Sequence, residues 1–134
     1  ETGHMLPAIL HRMHQAKQND DASVTIWGDG TAKREFLYAP DLADFICFAI
    51  DNFEALPGVM NVGSGLEISV NAMHKHMAKV IGYLGEFRHD MSKPVGRLRR
   101  CLDLRHQESL GWSPKTAFKD ALELTYDHMR RSLE

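Results

Sequence analysis

The chain has 134 residues, 43% hydrophobic and 25% charged, with 16 basic against 18 acidic side chains and a formal net charge of −2. That is enough for one domain with a core. The charge balance gives no drive toward nucleic acid or a membrane surface, and no apolar run approaches the ~20 residues of a membrane span. Glu1-Thr2-Gly3-His4 lacks the basic and apolar regions of a signal peptide. The two cysteines, Cys47 and Cys101, sit in unrelated contexts, so a reducing cytoplasm is the expected location.

Leu6, Ile9, Leu10 and Met13 recur at helical spacing, with Pro7 in the first turn, and predict a helix from about His4 to Lys17. A polar loop, Gln18 to Ser23, leads to two short strands, Val24–Trp27 and Arg34–Tyr38. The Asp-Gly reversal Gly28-Asp29-Gly30 separates them. Asp41 reads as the N-cap of a helix to about Asn52, its packed side formed by Leu42, Phe45, Ile46, Ala49 and Ile50, with Cys47 as a small core residue. Pro57-Gly58 breaks the chain and Val59–Val62 reads as a strand. Ser69 caps a helix with the stripe Val70, Met73, Met77, Val80 and Ile81. Glu86–His89 reads as a strand and Met91 to Cys101 as an irregular basic loop. Asp103 caps a short helix ending at Leu110-Gly111, and Thr116 caps the last helix, packed through Phe118, Ala121, Leu122 and Met129.

Strands alternate with helices, which is α/β logic. Three or four short strands make a poor sheet, so the chain reads as part of something larger. The glycine-rich strand–turn–helix of a dinucleotide site is missing, since Gly63-Ser64-Gly65 lacks the third glycine.

The histidine pairs His11/His14 and His74/His76 do not have the i, i+4 spacing of a helical zinc site, and no metal is expected. His4 stands just before a helix, where free N–H groups attract anions, and histidine suits proton transfer near neutral pH. A solvated terminal histidine is the plainer reading. Arg34 shares its parity with Phe36 and Tyr38, so as a strand residue it points with two aromatics, either toward a carboxylate partner or toward an anionic ligand. Trp27, just ahead of the glycine turn, offers a flat face nearby. Arg12 lies beside the first helix's apolar stripe and reads locally as a surface residue. The loop arginines and Lys93 form either a phosphate site or a solvated basic loop. Two arginines ahead of Cys101 are expected to lower its pKa. Ser64 is not in a nucleophile elbow, and Trp112 reads as structural.

Taken in order, His4-Met5-Leu6-Pro7-Ala8, Trp27-Gly28-x-Gly30, Arg34-Glu35-Phe36-Leu37, Asp41-Leu42-Ala43, Asn61-Val62-Gly63-Ser64-Gly65, Ser92-Lys93-Pro94-x-Gly96, Leu102-Asp103 and Leu110-Gly111-Trp112 resemble the carboxy-terminal part of the GDP-L-fucose synthase branch of the extended short-chain dehydrogenase/reductases. The resemblance implies an α/β fold. The chain would be the C-terminal substrate-binding part over residues 1–134, with short strands, several helices and the Rossmann half absent. The segment at about 41–63 would pack on that nucleotide-binding half.

It further implies an NADP(H)-dependent parent that makes GDP-L-fucose from GDP-4-keto-6-deoxy-D-mannose. The parent would epimerise C3 and C5, reduce the C4 ketone, and act as a homodimer. Each epimerisation moves a proton beside a carbonyl, so an acid and a base must flank the sugar. By resemblance His4 is the acid and lies near the cofactor, while Arg12, Trp27, Arg34 and Lys93 contact the GDP-sugar. Val95 stands where the family has an Asp of the substrate site, and His11 where it often has Arg or Lys. The family's Tyr-x-x-x-Lys pair, Ser and Cys are not in these residues, so the chain alone is expected to be inactive and to bind no cofactor tightly. Two alternatives stand beside this reading: part of another NDP-sugar epimerase or dehydratase, and a non-catalytic sugar-nucleotide-binding fragment.

Overall fold

A computed structural model describes residues 4–133. The expectations attached to Glu1-Thr2-Gly3 lie outside the described residues. Helix α1 (Met5–Gln18) buries Ile9, Leu10, Met13 and Ala16 on one face. Helix α3 (Val70–Ile81) buries Met73, His74, Met77 and Ile81, and Ser69 caps it by accepting the Ala72 N–H at 3.1 Å. Helix α5 (Phe118–Leu133) adds buried Leu122, with Phe118, Tyr126 and Met129 packed alongside. These faces and Val24 of strand β1 (Ser23–Trp27) form one core.

The strands form two small sheets. In one, β1 runs parallel to β4 (Glu86–Asp90), with Val24 opposite Phe87 and Trp27 opposite Asp90. In the other, β2 (Lys33–Glu35) lies between β3 (Glu67–Ser69), antiparallel to it, and β5 (Arg99–Arg100), parallel to it. The mixed architecture of short strands and several helices is the one the sequence implies.

Several local expectations are corrected. β1 and β2 are not partners. After the left-handed Gly28 and Gly30, the carbonyls of Gly30 and Ala32 accept the free N–H groups of Asn71 and Val70 at the start of α3, which draws the chain into the second sheet. β2 ends at Glu35 rather than Tyr38. Arg34, Glu35, Phe36 and Leu37 all line one cleft, so strand alternation does not place Arg34 with Phe36 and Tyr38. Val59–Val62 is not a strand. Gly63 instead pairs with a side chain: its N–H donates to Gln107 Oε1 at 2.8 Å and its carbonyl accepts Gln107 Nε2 at 3.0 Å. Gln107 lies in α4 (Arg105–Ser109), and Asp103 Oδ1 accepts the Arg105 N–H at 3.1 Å just ahead of it.

Helix α2 runs from Ala39 to Asp51, so Asp41 sits inside its first turn. Its carboxylate does not cap α2. It accepts the Lys115 and Thr116 N–H groups at 3.3 Å each and the Thr116 hydroxyl at 2.9 Å. Thr116 is thereby tied to α2, and α5 begins two residues later. Asp44 takes the Trp112 indole N–H at 2.9 Å, and Trp112 meets Phe45 edge-on at 5.0 Å between ring centroids. Trp112 is structural, as read. The rest of the α2 apolar side is uncovered: Cys47 is exposed, as are Leu42, Ile46, Ile50 and, just beyond, Phe53. Phe45 alone of the expected stripe is buried.

Candidate functional site

Two clefts meet beside the start of α1. The larger, about 590 Å³, is walled by the first turns of α1, the end of β1, Pro94 and Val95, with Val70 and His74 of α3 among its lining. The smaller, about 540 Å³, lies between His4-Met5-Leu6, the segment Arg34–Leu37, Val62-Gly63 and Arg100-Cys101-Leu102. Met5 and Arg34 line both.

Alternation in β1 explains Trp27. Val24 and Ile26 turn inward, so Trp27 turns outward at the strand's end and is 56% exposed. Two cations attend its ring: the Arg12 guanidinium carbon at 6.0 Å from the centroid and Lys93 Nζ at 5.7 Å. Among the described residues Arg12 is otherwise held only by a long bond from its Nε to the Ala8 carbonyl, 3.3 Å. Lys93 is placed by a turn in which Asp90 accepts the Ser92 N–H at 3.0 Å and hydroxyl at 2.6 Å; those bonds hold the Asp90 carboxyl below its ordinary range. Gly28 lets Val95 close over the strand end, since a Cβ there would come within 2.9 Å of Val95 Cγ2.

Arg34 is anchored by Nη1, which donates to the Lys33 and Arg97 carbonyls at 2.7 Å each. The rest of its guanidinium has no carboxylate partner among the described residues. The salt bridge weighed for Arg34 is therefore not formed. His4 is exposed, directly precedes α1 and lines the smaller cleft with Arg34.

The structure also sorts the basic loop. Arg99 pairs with Glu67 at 2.6 Å and Arg105 with Asp103 at 2.5 Å, the latter holding the Asp103 carboxyl down at about 2. Arg100 lines the smaller cleft, and Lys93 reaches the ring of Trp27, which lines the larger. Arg100 is the cross-strand neighbour of Arg34, and like charges side by side oppose each other unless an anion joins them. The nearby Glu35 is already engaged, accepting the Gly65 N–H at 2.9 Å and the Leu102 N–H at 3.0 Å. Cys101 differs from its expectation: a hydrogen bond with Glu67, and then burial, raise its pKa, outweighing the influence of Arg99.

Of the residues singled out from sequence, Arg12, Trp27, Arg34 and Lys93 gather around the larger cleft, and His4 joins Arg34 in the smaller. Arg100 was read only as one of the loop arginines, and His74 only as half of a histidine pair. The basic run pointed toward Arg100 without separating it from Arg99, and nothing local marked His74 as a cleft residue. Among the described residues no cluster of His, Cys, Asp or Glu could hold a metal ion, and no helix is long and apolar enough to cross a membrane.

The arrangement of short strands and helices is similar to that of epimerases and reductases of the extended short-chain dehydrogenase type. Residues 1–63 match the NAD dependent epimerase/dehydratase family. A GDP-mannoheptose C4 reductase from Campylobacter jejuni, solved with NADP bound, superposes with a TM-score of 0.82 at 26% identity, covering 97% of this chain and 46% of that one. Within that class the chain is similar to GDP-L-fucose synthases. It is 42% identical over 93% of its length to the GDP-L-fucose synthase of Azorhizobium caulinodans, and spans 40% of that relative. It is also 42% identical, over 91% of its length, to the GDP-L-colitose synthase of Yersinia pseudotuberculosis, again spanning 40% of the relative.

Proposed function

We propose that these residues are the substrate-binding portion of an NADP-dependent GDP-sugar epimerase-reductase that makes GDP-L-fucose from GDP-4-keto-6-deoxy-D-mannose. The observation carrying this reading is Arg34 at the junction of two clefts, one lined by Trp27 and Arg12, with Lys93 over the Trp27 ring, the other by His4 and Arg100. In this reading a diphosphate neutralises the unpaired guanidinium groups through bidentate contacts. Trp27 gives the nucleotide a flat apolar surface, and Lys93 approaches its charge from the loop side. Histidine chemistry suits His4 to return a proton beside the sugar carbonyl.

The cofactor supplies a hydride to the C4 ketone. The described residues contain no glycine-rich strand–turn–helix, so NADP(H) falls to chain beyond these 134 residues, with His4 alone near it. The segment at about 41–63 docks on that nucleotide-binding part, the parent acts as a homodimer, and these residues alone bind no cofactor tightly. Supplied with GDP-4-keto-6-deoxy-D-mannose and NADPH, the 134-residue chain is expected to show no NADPH oxidation, and adding the nucleotide-binding part of a relative is expected to restore it. Turnover by the chain alone would contradict this division of labour.

A second reading keeps the site and changes the sugar. Val95 gives the larger cleft an apolar wall, and identity to the colitose enzyme equals that to the fucose enzyme. Competition between GDP-L-fucose and GDP-L-colitose for the chain separates the two: tighter GDP-L-colitose binding selects the second.

A further inference from the structure

His74 is 1% exposed, yet it lines the larger cleft. Its Nδ1 lies 2.8 Å from the Val70 carbonyl, which can only accept, so Nδ1 carries the proton and Nε2 presents a lone pair. Nε2 is buried and has no hydrogen-bond partner. An acceptor left this way is costly, and one in a site calls for an explanation. The Phe87 ring packs edge-on at 5.8 Å between centroids and offers no donor. Two charged or titratable groups bear on the imidazole, Arg12 from α1 and His89 from β4. His89 Nε2 is engaged with Asn71 Oδ1 at 2.8 Å. Arg12 is the complement of His74: it lines the same cleft, and its Nε bond to Ala8 is long.

We propose that His74 is a positioning residue for Arg12, its Nε2 lone pair accepting an Nη–H of Arg12 and so fixing the guanidinium in the cleft wall. The contact turns Arg12 away from its bond to Ala8. It leaves the opposite guanidinium edge for an anion and joins an acceptor lacking a donor to donors lacking an acceptor. The consequence for binding rests on the GDP-sugar reading above; the pairing itself does not.

The test has two arms on the 134-residue chain. Long-range 1H–15N spectra of the histidine rings report His74 without any ligand. Nε2 is expected to resonate as a hydrogen-bonded acceptor and to move to the free, pyridine-like position in Arg12→Met. An unchanged resonance overturns the proposal. The second arm is a double-mutant cycle read by GDP binding. His74→Phe is expected to weaken binding about tenfold in the parent chain and not at all in the Arg12→Met background, with His74→Gln, which keeps an acceptor, recovering most of the loss. An equal loss in both backgrounds makes His74 merely structural and overturns the proposal. If no variant binds GDP, the functional reading fails and the spectra alone decide the pairing.

Discussion

Arg34 joins architecture and chemistry in one side chain. Nη1 ties the 93–98 loop to β2, while its other donors are left at the junction of the clefts. A lysine cannot span both tasks. Arg34→Lys is therefore expected to weaken GDP binding by about tenfold or more, measured by calorimetry; unchanged affinity would remove Arg34 from the site. Arg34 was legible because an arginine among strand apolars is locally anomalous. His74 was not: on the helix it is one of two histidines two residues apart, and its burial, with the Phe87 ring edge-on to it, comes from tertiary packing. That burial, followed by the Arg12 and His89 charges, pushes its pKa down against the raising effect of its bond to Val70. An unfolded histidine titrates near ~6.5. Below that value the unfolded chain takes up a proton that folded His74 refuses, so its stabilising contribution is complete above ~6.5 and is lost as pH falls toward the depressed folded value. Lowering the pH from about 7.5 to about 5.5 is expected to reduce the urea midpoint more in the parent chain than in His74→Phe. Parallel losses would contradict the assigned protonation.

At the scale of elements, side chains do work that the sequence suggested backbone would do. Asp41 was legible as a carboxylate at a helix start, but its partners lie more than seventy residues on, in the turn before α5. Gln107 gives Gly63 both hydrogen bonds a neighbouring strand would have given. Apolar pattern alone made Val59–Val62 a strand; a ladder also needs a partner, which no local pattern reveals. Helices α1 and α3 were read closely because their stripes face a core built largely by each other. Asp41→Ala is expected to cost about 1–3 kcal/mol in urea unfolding, because it removes the acceptor of three part-buried hydrogen bonds; a loss below a few tenths would mean that the α2–α5 link is not holding the turn.

At the scale of the whole molecule, one apolar surface is exposed. Ile46, Ile50 and Phe53 are 53%, 69% and 72% exposed along α2 and its end, beside exposed Cys47. An apolar run of this kind favours association. Light scattering of the chain is expected to show self-association that Ile46→Glu with Ile50→Glu abolishes; a strict monomer with little binding of an apolar dye would contradict an uncovered face. The binding claim is tested most directly by titrating the chain with GDP, UDP and dTDP while following the fluorescence of Trp27, with Trp27→Phe to remove the Trp112 background. A saturable change with GDP, much weaker with UDP and dTDP and lost in Arg34→Met, is the expected result. No response to GDP, or a response that survives in Arg34→Met, would contradict the assignment of this cleft to a GDP-sugar.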